Sequence, residues 1–349
     1  MNAGLRVLAP GLLTTVQDFG RPGHQRIGIP VGGALDPVSL RAANALVGNA
    51  PGTGAIEIAY VGPTFMVDAD DVRLAFVGAP APIEILPELG ARSGRPVNRA
   101  RSVRVRRGEV VQIGSLTGGA VLYVAVEGGF DIHPVLGSVS TYIRGRFGGW
   151  QGRALIAGDW LPLCRPSASD REEYELPDLD LAPPPRFRAI LGPQADHFAE
   201  REIAAFFDAE YVVSPGADRM GIRLDGYCLD HARHTTFVSD GIAPGSIQVP
   251  GNGQPIVLLV DRQTAGGYPK IATVISADMP ALGRMPIGSK IAFEPVSLET
   301  AQELRRKFVA DIASIGERVV PVRRSAMHAA PMLFDCNLIS GVVDARGWM

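Results

Sequence analysis

The chain has 349 residues, more than one typical domain, with 46% hydrophobic and 20% charged residues and a formal net charge of −2 at pH 7. That composition can bury a substantial core and excludes intrinsic disorder, and the near-neutral charge gives no general attraction to nucleic acid or to an anionic membrane. Cys164, Cys228 and Cys336 are far apart with no CxxC pair, so neither a zinc ribbon nor a disulfide framework is indicated and the cytosol is the expected compartment. No apolar run approaches the ~18 residues of a membrane span, and no basic-then-apolar leader stands at the N-terminus. With 41 glycines and 28 prolines, many short strands joined by tight turns are favoured over long helices.

In chain order, residues 5–16 read as two strands broken by Pro10-Gly11, leading into Gln17-Asp18-Phe19-Gly20-Arg21. Asp18 and Arg21 between glycines are suited to holding a polar group, or to tying the N-terminal strand down. Asp36 then caps a helix that starts at Pro37 and stops at Gly48. Asn44 lies within it, either facing a site or bonded to a neighbouring loop. From Ala55 to Gly129 the pattern is β throughout, with Gly, Pro or Asp at regular spacing, the signature of a barrel or sandwich. The seven arginines between Arg92 and Arg107 alternate with Val103 and Val105 around a strand, so they form its wet face and not a nucleic-acid platform.

A glycine-rich loop over 145–158 lacks the order of a phosphate-cradling P-loop. Beyond Cys164 an acidic, then proline-rich stretch reads as an exposed linker. The second half opens with a strand at Phe187–Leu191 and a helix whose apolar face is Phe198, Ile203, Ala204 and Phe207. Arg219 and Arg223 flank Gly221 as an anion clamp, or as structural partners of Asp218 or Asp225. His231 and His234 have no third ligand nearby and read as surface residues.

The stretch from Gly245 to Thr273 organises the rest. Ile256 to Val260 reads as a buried strand; Asp261, Arg262, Gln263 and Thr264 follow at its end, then Gly266-Gly267, with Tyr268 and Lys270 flanking Pro269 before a second apolar run to Ile275. An ordinary hairpin with a polar turn is the alternative. Residues 277–293 read as a further strand region, and Ser297 caps a polar helix ahead of a short tail.

The strings TVQDFGRPGHQRIGIPVGGALDPVSLRAANALVGN, DRMGIRL and GSIQVPGNGQPIVLLVDRQTAGGYPKIATVI resemble the family described as allophanate hydrolase subunit 2, or carboxyltransferase subdomains A and B, which also contains the C-type component of ATP-dependent 5-oxoprolinase and an antagonist of a sporulation kinase inhibitor. The resemblance implies a mainly β fold with a few short helices, built as two cyclophilin-like β-barrels. On that basis residues 1–169 form the first barrel, 170–185 a linker, 186–296 the second barrel, and 297–349 a C-terminal helix and tail.

The resemblance further implies one of three roles. A C-type subunit would open 5-oxoproline to glutamate with ATP, in company with a B-type subunit similar to allophanate hydrolase subunit 1 and a third, lactam-utilising subunit. A carboxyltransferase component would take a carboxyl group from biotin on a separate carrier. A regulator would bind its B-type partner without turnover. Opening or carboxylating an amide develops negative charge on oxygen, so fixed donors are required. Lys270, Arg219 and Arg21 are the candidate cations; Gln248, Gln263 and Tyr268 are the neutral donors; Asp18 and Asp261 are the candidate acids or bases; Asn44, Arg223 and Thr264 are further substrate-binding candidates. No metal site and no covalent nucleophile is expected.

Overall fold

A computed structural model describes residues 3–230 and 238–322. His231, His234, Cys336 and the C-terminal tail lie outside the described residues. The chain is mainly β, with four short α-helices among the described residues, as the glycine and proline content predicts.

The N-terminal half pairs into two antiparallel sheets. One runs in the order Trp160–Pro162, Gly4–Ala9, Thr64–Asp68, Val110–Ile113, Ile83–Leu86, Arg95–Pro96; the other runs Leu13–Gln17, Ala55–Ala59, Val121–Val126, Asp71–Gly78, Ser102–Arg106. Strand alternation turns Leu5 and Val7 of the first sheet and Ile56, Ile58, Leu74 and Phe76 of the second into one shared core. Val121–Val126 is buried on both faces, because helix α1 (Pro37–Val47) lays Leu40, Ala43 and Leu46 over Tyr123 and Ala125. The helix starts where its caps dictate: Asp36 accepts the Val38 N–H, Pro37 needs no partner, and Gly48 ends it in the left-handed region at φ 75°. The arginine strand is wet as expected, with Val105 buried while Arg104 and Arg106 face solvent.

The second half closes a seven-stranded barrel in the order Phe187–Leu191, Lys270–Val274, Ser246–Gln248, Ile256–Leu258, Gly221–Asp225, Glu210–Val213, Lys290–Pro295. Every rung is antiparallel except the closing one, where Lys290–Pro295 runs parallel to Phe187–Leu191. Phe187, Phe206, Tyr211 and Phe293 form its aromatic centre, with Phe206 stacked on Phe293 at 5.0 Å between centroids.

The structure refines four local readings. Ile256–Leu258 and Lys270–Val274 do not pair as a hairpin; both flank Ser246–Gln248, so the polar segment between them crosses over that strand's end. Residues 277–293 hold helix α3 (Met279–Gly283) before the last barrel strand, because Pro280 fits a first helical turn. Helix α2 (Glu200–Asp208) buries Phe206 where Ala204 was expected, and Ala204 faces solvent. The acidic stretch after Cys164 is largely exposed, as read, yet anchored: buried Arg73 pairs with Glu173 at 3.3 Å and donates to the Arg171 carbonyl at 2.5 Å, and Leu176 is buried. Helix α4 (Leu298–Ala313), capped by Ser297, buries none of its residues, as its charged sequence predicts. Among the described residues no helix is long and apolar enough to cross a membrane.

Three carboxylates carry an acid dependence. Burial pushes Asp71, Glu127 and Asp159 up, but hydrogen bonds and charge from Arg104, from Ser169 and Arg73, and from Arg153 with the Ile156 N–H outweigh it, leaving each below its ordinary value. A depressed folded pKa contributes stability in full above the unfolded value, 3.8 for aspartate and 4.5 for glutamate, and loses it as pH falls through the folded value. The thermal midpoint is therefore expected to drop progressively below pH 4.5 when followed by circular dichroism, and Arg153→Met, which removes the two 2.7 Å bonds to Asp159, is expected to flatten part of that slope.

Candidate functional site

The sequence-selected residues divide into three places. Asp18 and Arg21 build a loop anchor. The Asp18 carboxylate accepts from the Gly20 N–H at 2.7 Å, the Val139 N–H at 2.7 Å, the Ser138 hydroxyl at 2.6 Å and the Ser140 hydroxyl at 2.5 Å. Four donors occupy the carboxylate, so it is spent on holding the loop. Arg21 is almost fully buried, donates to the Ser140 and Val135 carbonyls and lies 4.9 Å from the Phe147 ring centroid. Burial lowers its pKa, and the charges of Asp18 and Asp261 only partly offset this. Gly148, at φ 71°, is required here, since a Cβ would stand 2.1 Å from the Ser140 carbonyl oxygen and 2.7 Å from Arg21 Nη2. Asn44 is likewise consumed locally: its amide donates to the Thr53 carbonyl at 2.7 Å and accepts from Asn49 at 3.0 Å.

Arg219 and Asp261 form the second place, a buried network joining the two halves. Arg219 holds Asp261 through Nε at 2.8 Å and Nη2 at 3.2 Å, the Gly33 carbonyl at 2.5 Å, and Glu57 through Nη1. Glu57 in turn accepts from the Leu35 N–H at 2.9 Å and from the Tyr123 hydroxyl, which accepts from the Asp36 N–H. Burial opposes the Arg219 charge, but Asp261 and Glu57 overcome it and raise its pKa; burial and the Glu57 charge hold Tyr123 protonated. Arg219 is thus a structural cation, and Asp261 is its counter-ion. Glu57 escapes sequence reading because a single acid within a β-branched run looks like a solvent-facing strand position.

The third place is a cavity of about 370 Å³ where the barrel meets the loop carrying Arg144. Arg223, Gln248, Gln263 and Tyr268 line it, joined by two residues the sequence did not single out, Arg144 and Asn252. Gln248, 2% exposed, has an Nε2 with no hydrogen-bond partner among the described residues. The orphan amide is what a ligand would complete, because a buried donor left unmade costs ~1–3 kcal/mol. Gly266 makes room for it: a Cβ there would stand 3.1 Å from Gln248 Nε2 and 3.8 Å from Gln263 Nε2. Arg223 has no carboxylate partner among the described residues, while Arg144 pairs with Asp218 at 3.0 Å across the rim. Tyr268 is half exposed at that rim. Lys270 sits opposite Gln248 in strand register, buried, with Nζ 3.5 Å from Asp240 and off the cavity wall. Thr264 also stays outside, its carbonyl accepting the Ile242 N–H.

Residues 27–295 match the model of the carboxyltransferase domain, subdomain A and B. The chain belongs to that family. It is 37% identical over 302 residues to the C-type component of the Escherichia coli 5-oxoprolinase, covering 86% of this chain and 94% of that one. It is 31% identical to the urea amidolyase of Saccharomyces cerevisiae, covering 89% of this chain but 18% of the yeast protein. Among solved structures it resembles the Kluyveromyces lactis urea carboxylase, with a TM-score of 0.79 and 26% identity over 93% of this chain and 31% of that one. The matched family region contains every cavity residue and Arg219, whereas the Asp18–Arg21 anchor precedes it.

Arg219→Met leaves Glu57 and Asp261 buried without their cation. Urea unfolding is expected to register a loss of about 3–5 kcal/mol; a loss under about 1 kcal/mol, the range of exposed pairs, would show that the halves do not depend on this arginine.

Proposed function

We propose that the chain is the C-type subunit of a heteromeric ATP-dependent 5-oxoprolinase, a component of a hydrolase complex that opens 5-oxoproline to glutamate together with a B-type and a third, lactam-utilising subunit. The observation that carries the reading is the orphan Gln248 amide in one cavity with Gln263 and with Arg223, which has no carboxylate partner among the described residues. The 37% identity to the Escherichia coli protein over nearly its whole length supports it.

5-Oxoproline presents a ring amide and a carboxylate, and the cavity offers a matching set. The Gln248 N–H donates to the lactam oxygen, where negative charge grows as the ring carbonyl is attacked, and a donor fixed beforehand stabilises that charge more than the ground state. Arg223 takes the carboxylate through its planar fork. Gln263 and Tyr268 complete the amide's hydrogen bonds from the turn. Lys270, in register behind Gln248, contributes positive charge to the same strand pair. Asp18, Asp261, Arg21, Arg219 and Asn44 support the scaffold from outside the cavity. ATP enters at the level of the complex, and carboxyl transfer from biotin and partner regulation are the competing outcomes of the same experiment.

Reconstitution with the two partner subunits tests this, with glutamate release from 5-oxoproline and ATP as the readout. Gln248→Leu is expected to lower kcat about 10²–10³-fold, as for loss of an oxyanion donor, while size-exclusion chromatography still reports the complex; Arg223→Gln is expected to raise KM for the substrate. Activity that requires bicarbonate and biotin, or an assembled complex that neither hydrolyses ATP nor opens the lactam, would sink the lactam reading. Gly266→Val is expected to abolish turnover while size-exclusion chromatography still reports the complex, because its side chain fills the space the two amides share.

A further inference from the structure

A second cavity, of about 440 Å³, shares no lining residue with the first and is bounded by α1, the chain around Phe19 and Val31–Leu35, the barrel turn at Leu259–Arg262, and α4. Its walls are apolar, and its charged residues are Arg41, Arg262 and Arg305, with no aspartate or glutamate. None of the three makes an ion pair among the described residues.

Arg262 is the unusual member. It is 3% exposed, and its Nε and Nη1 are fixed on the Ile242 and Leu259 carbonyls at 3.1 and 3.2 Å, which leaves Nη2 without a partner among the described residues. Burial lowers its pKa with no carboxylate to offset the shift. The turn that carries it also supplies Asp261 to the interlock, yet that acid is already spent on Arg219. Arg41 adds a buried Nε with no partner and lies 5.5 Å from the Phe19 ring centroid; Arg305 lies 5.7 Å from the Phe308 ring centroid. A buried cation kept without a counter-charge is costly unless something supplies the charge.

We propose that this cavity binds a small organic anion with an apolar, ring-bearing body, its carboxylate or phosphate on Arg262 and Arg41 and its ring among Phe19, Leu35, Leu259 and Phe308. A pocket of this size, mostly apolar with a few convergent polar groups, has the make-up of a small-molecule site. The guanidinium of Arg262 is already immobilised by its two carbonyl bonds, so little ordering remains to be done on binding. Arg41 and Arg305, each laid against an aromatic ring, close the cationic side from the two helices. 5-Oxoproline, compact and polar, does not use such walls, so the proposal stands independently of the lactam reading.

Isothermal titration of the full chain with phenyl phosphate, phenylacetate and inorganic phosphate tests it. At least one ring-bearing anion is expected to bind with one-to-one stoichiometry and about tenfold or more tighter than inorganic phosphate, as burial of a ring requires; which of the two binds identifies the head group. Arg41→Gln and Arg305→Gln, chosen because neither side chain holds the barrel turn, are each expected to weaken binding about tenfold without moving the thermal midpoint of the free chain. Arg223→Gln, in the first cavity, is expected to leave it unchanged. The proposal is overturned if neither ring-bearing anion exceeds inorganic phosphate, if both helix variants bind as tightly as the parent chain, or if Arg223→Gln abolishes binding.

Discussion

The arrangement of the molecule depends on one buried guanidinium. Arg219 leaves the barrel between Glu210–Val213 and Gly221–Asp225 and is grasped by Asp261 from its own half and by Glu57 and the Gly33 carbonyl from the other. A lone arginine at that depth would be intolerable; two carboxylates and a carbonyl make it a rivet. Glu57 extends the grip through Tyr123 and the Asp36 N–H to the start of α1, and Asp36 also faces Arg284 of the second half at 3.0 Å. The halves are therefore in register through charge and hydrogen bonds that only one relative placement satisfies, while apolar contact alone would allow them to slide.

The turn after Ile256–Leu258 connects this rivet to both cavities. Three consecutive side chains take three directions: Asp261 enters the interlock, Arg262 lines the arginine-walled cavity, and Gln263 lines the cavity with the orphan amide. Because the strand does not fold back as a hairpin but crosses the end of Ser246–Gln248, the turn lies beside Gln248 and delivers Gln263 to it. The geometry of the candidate site is thus set by strand order in a closed barrel, which constrains it more tightly than a flexible loop would.

Much of this was legible in the residues. The cap of α1 is local chemistry, an acid before a proline and a glycine after the last apolar turn, and it forms as read. The wet face of Ser102–Arg106 follows from period-two alternation. Gln248, Gln263, Tyr268 and Arg223 stood out because amides, a phenol and an arginine interrupt runs that otherwise belong to a core, and they meet in one cavity. What could not be read is pairing at long range. Asp18 and Arg21 have the composition of a site, but Ser138, Val139 and Ser140, some 120 residues away, fill the Asp18 carboxylate, and the Ser140 carbonyl also takes Arg21 Nη2. Glu57 hides in an apolar strand, and its role exists only once Arg219 arrives from 162 residues downstream. The hairpin alternative failed for the same reason: adjacency in sequence does not decide which strand lies between two others.

The contrast between Asp18 and Gln248 carries a more general consequence. Both are buried polar groups in turns or strand ends that sequence reading selects equally, yet Asp18 has four donors on one carboxylate and Gln248 leaves an amide nitrogen bare. A saturated group is already at its energetic minimum, and any ligand must first displace what holds it. An unsaturated one carries the cost of desolvation in the free protein and recovers it when a complementary acceptor arrives. The same distinction separates Arg219, each of whose three nitrogens has an acceptor, from Arg262, whose third nitrogen has none among the described residues. Among the buried donors left open, Gln248 Nε2 and Arg41 Nε stand where a cavity gives an arriving acceptor access, whereas the open donors of Tyr211 and Trp150 line neither cavity.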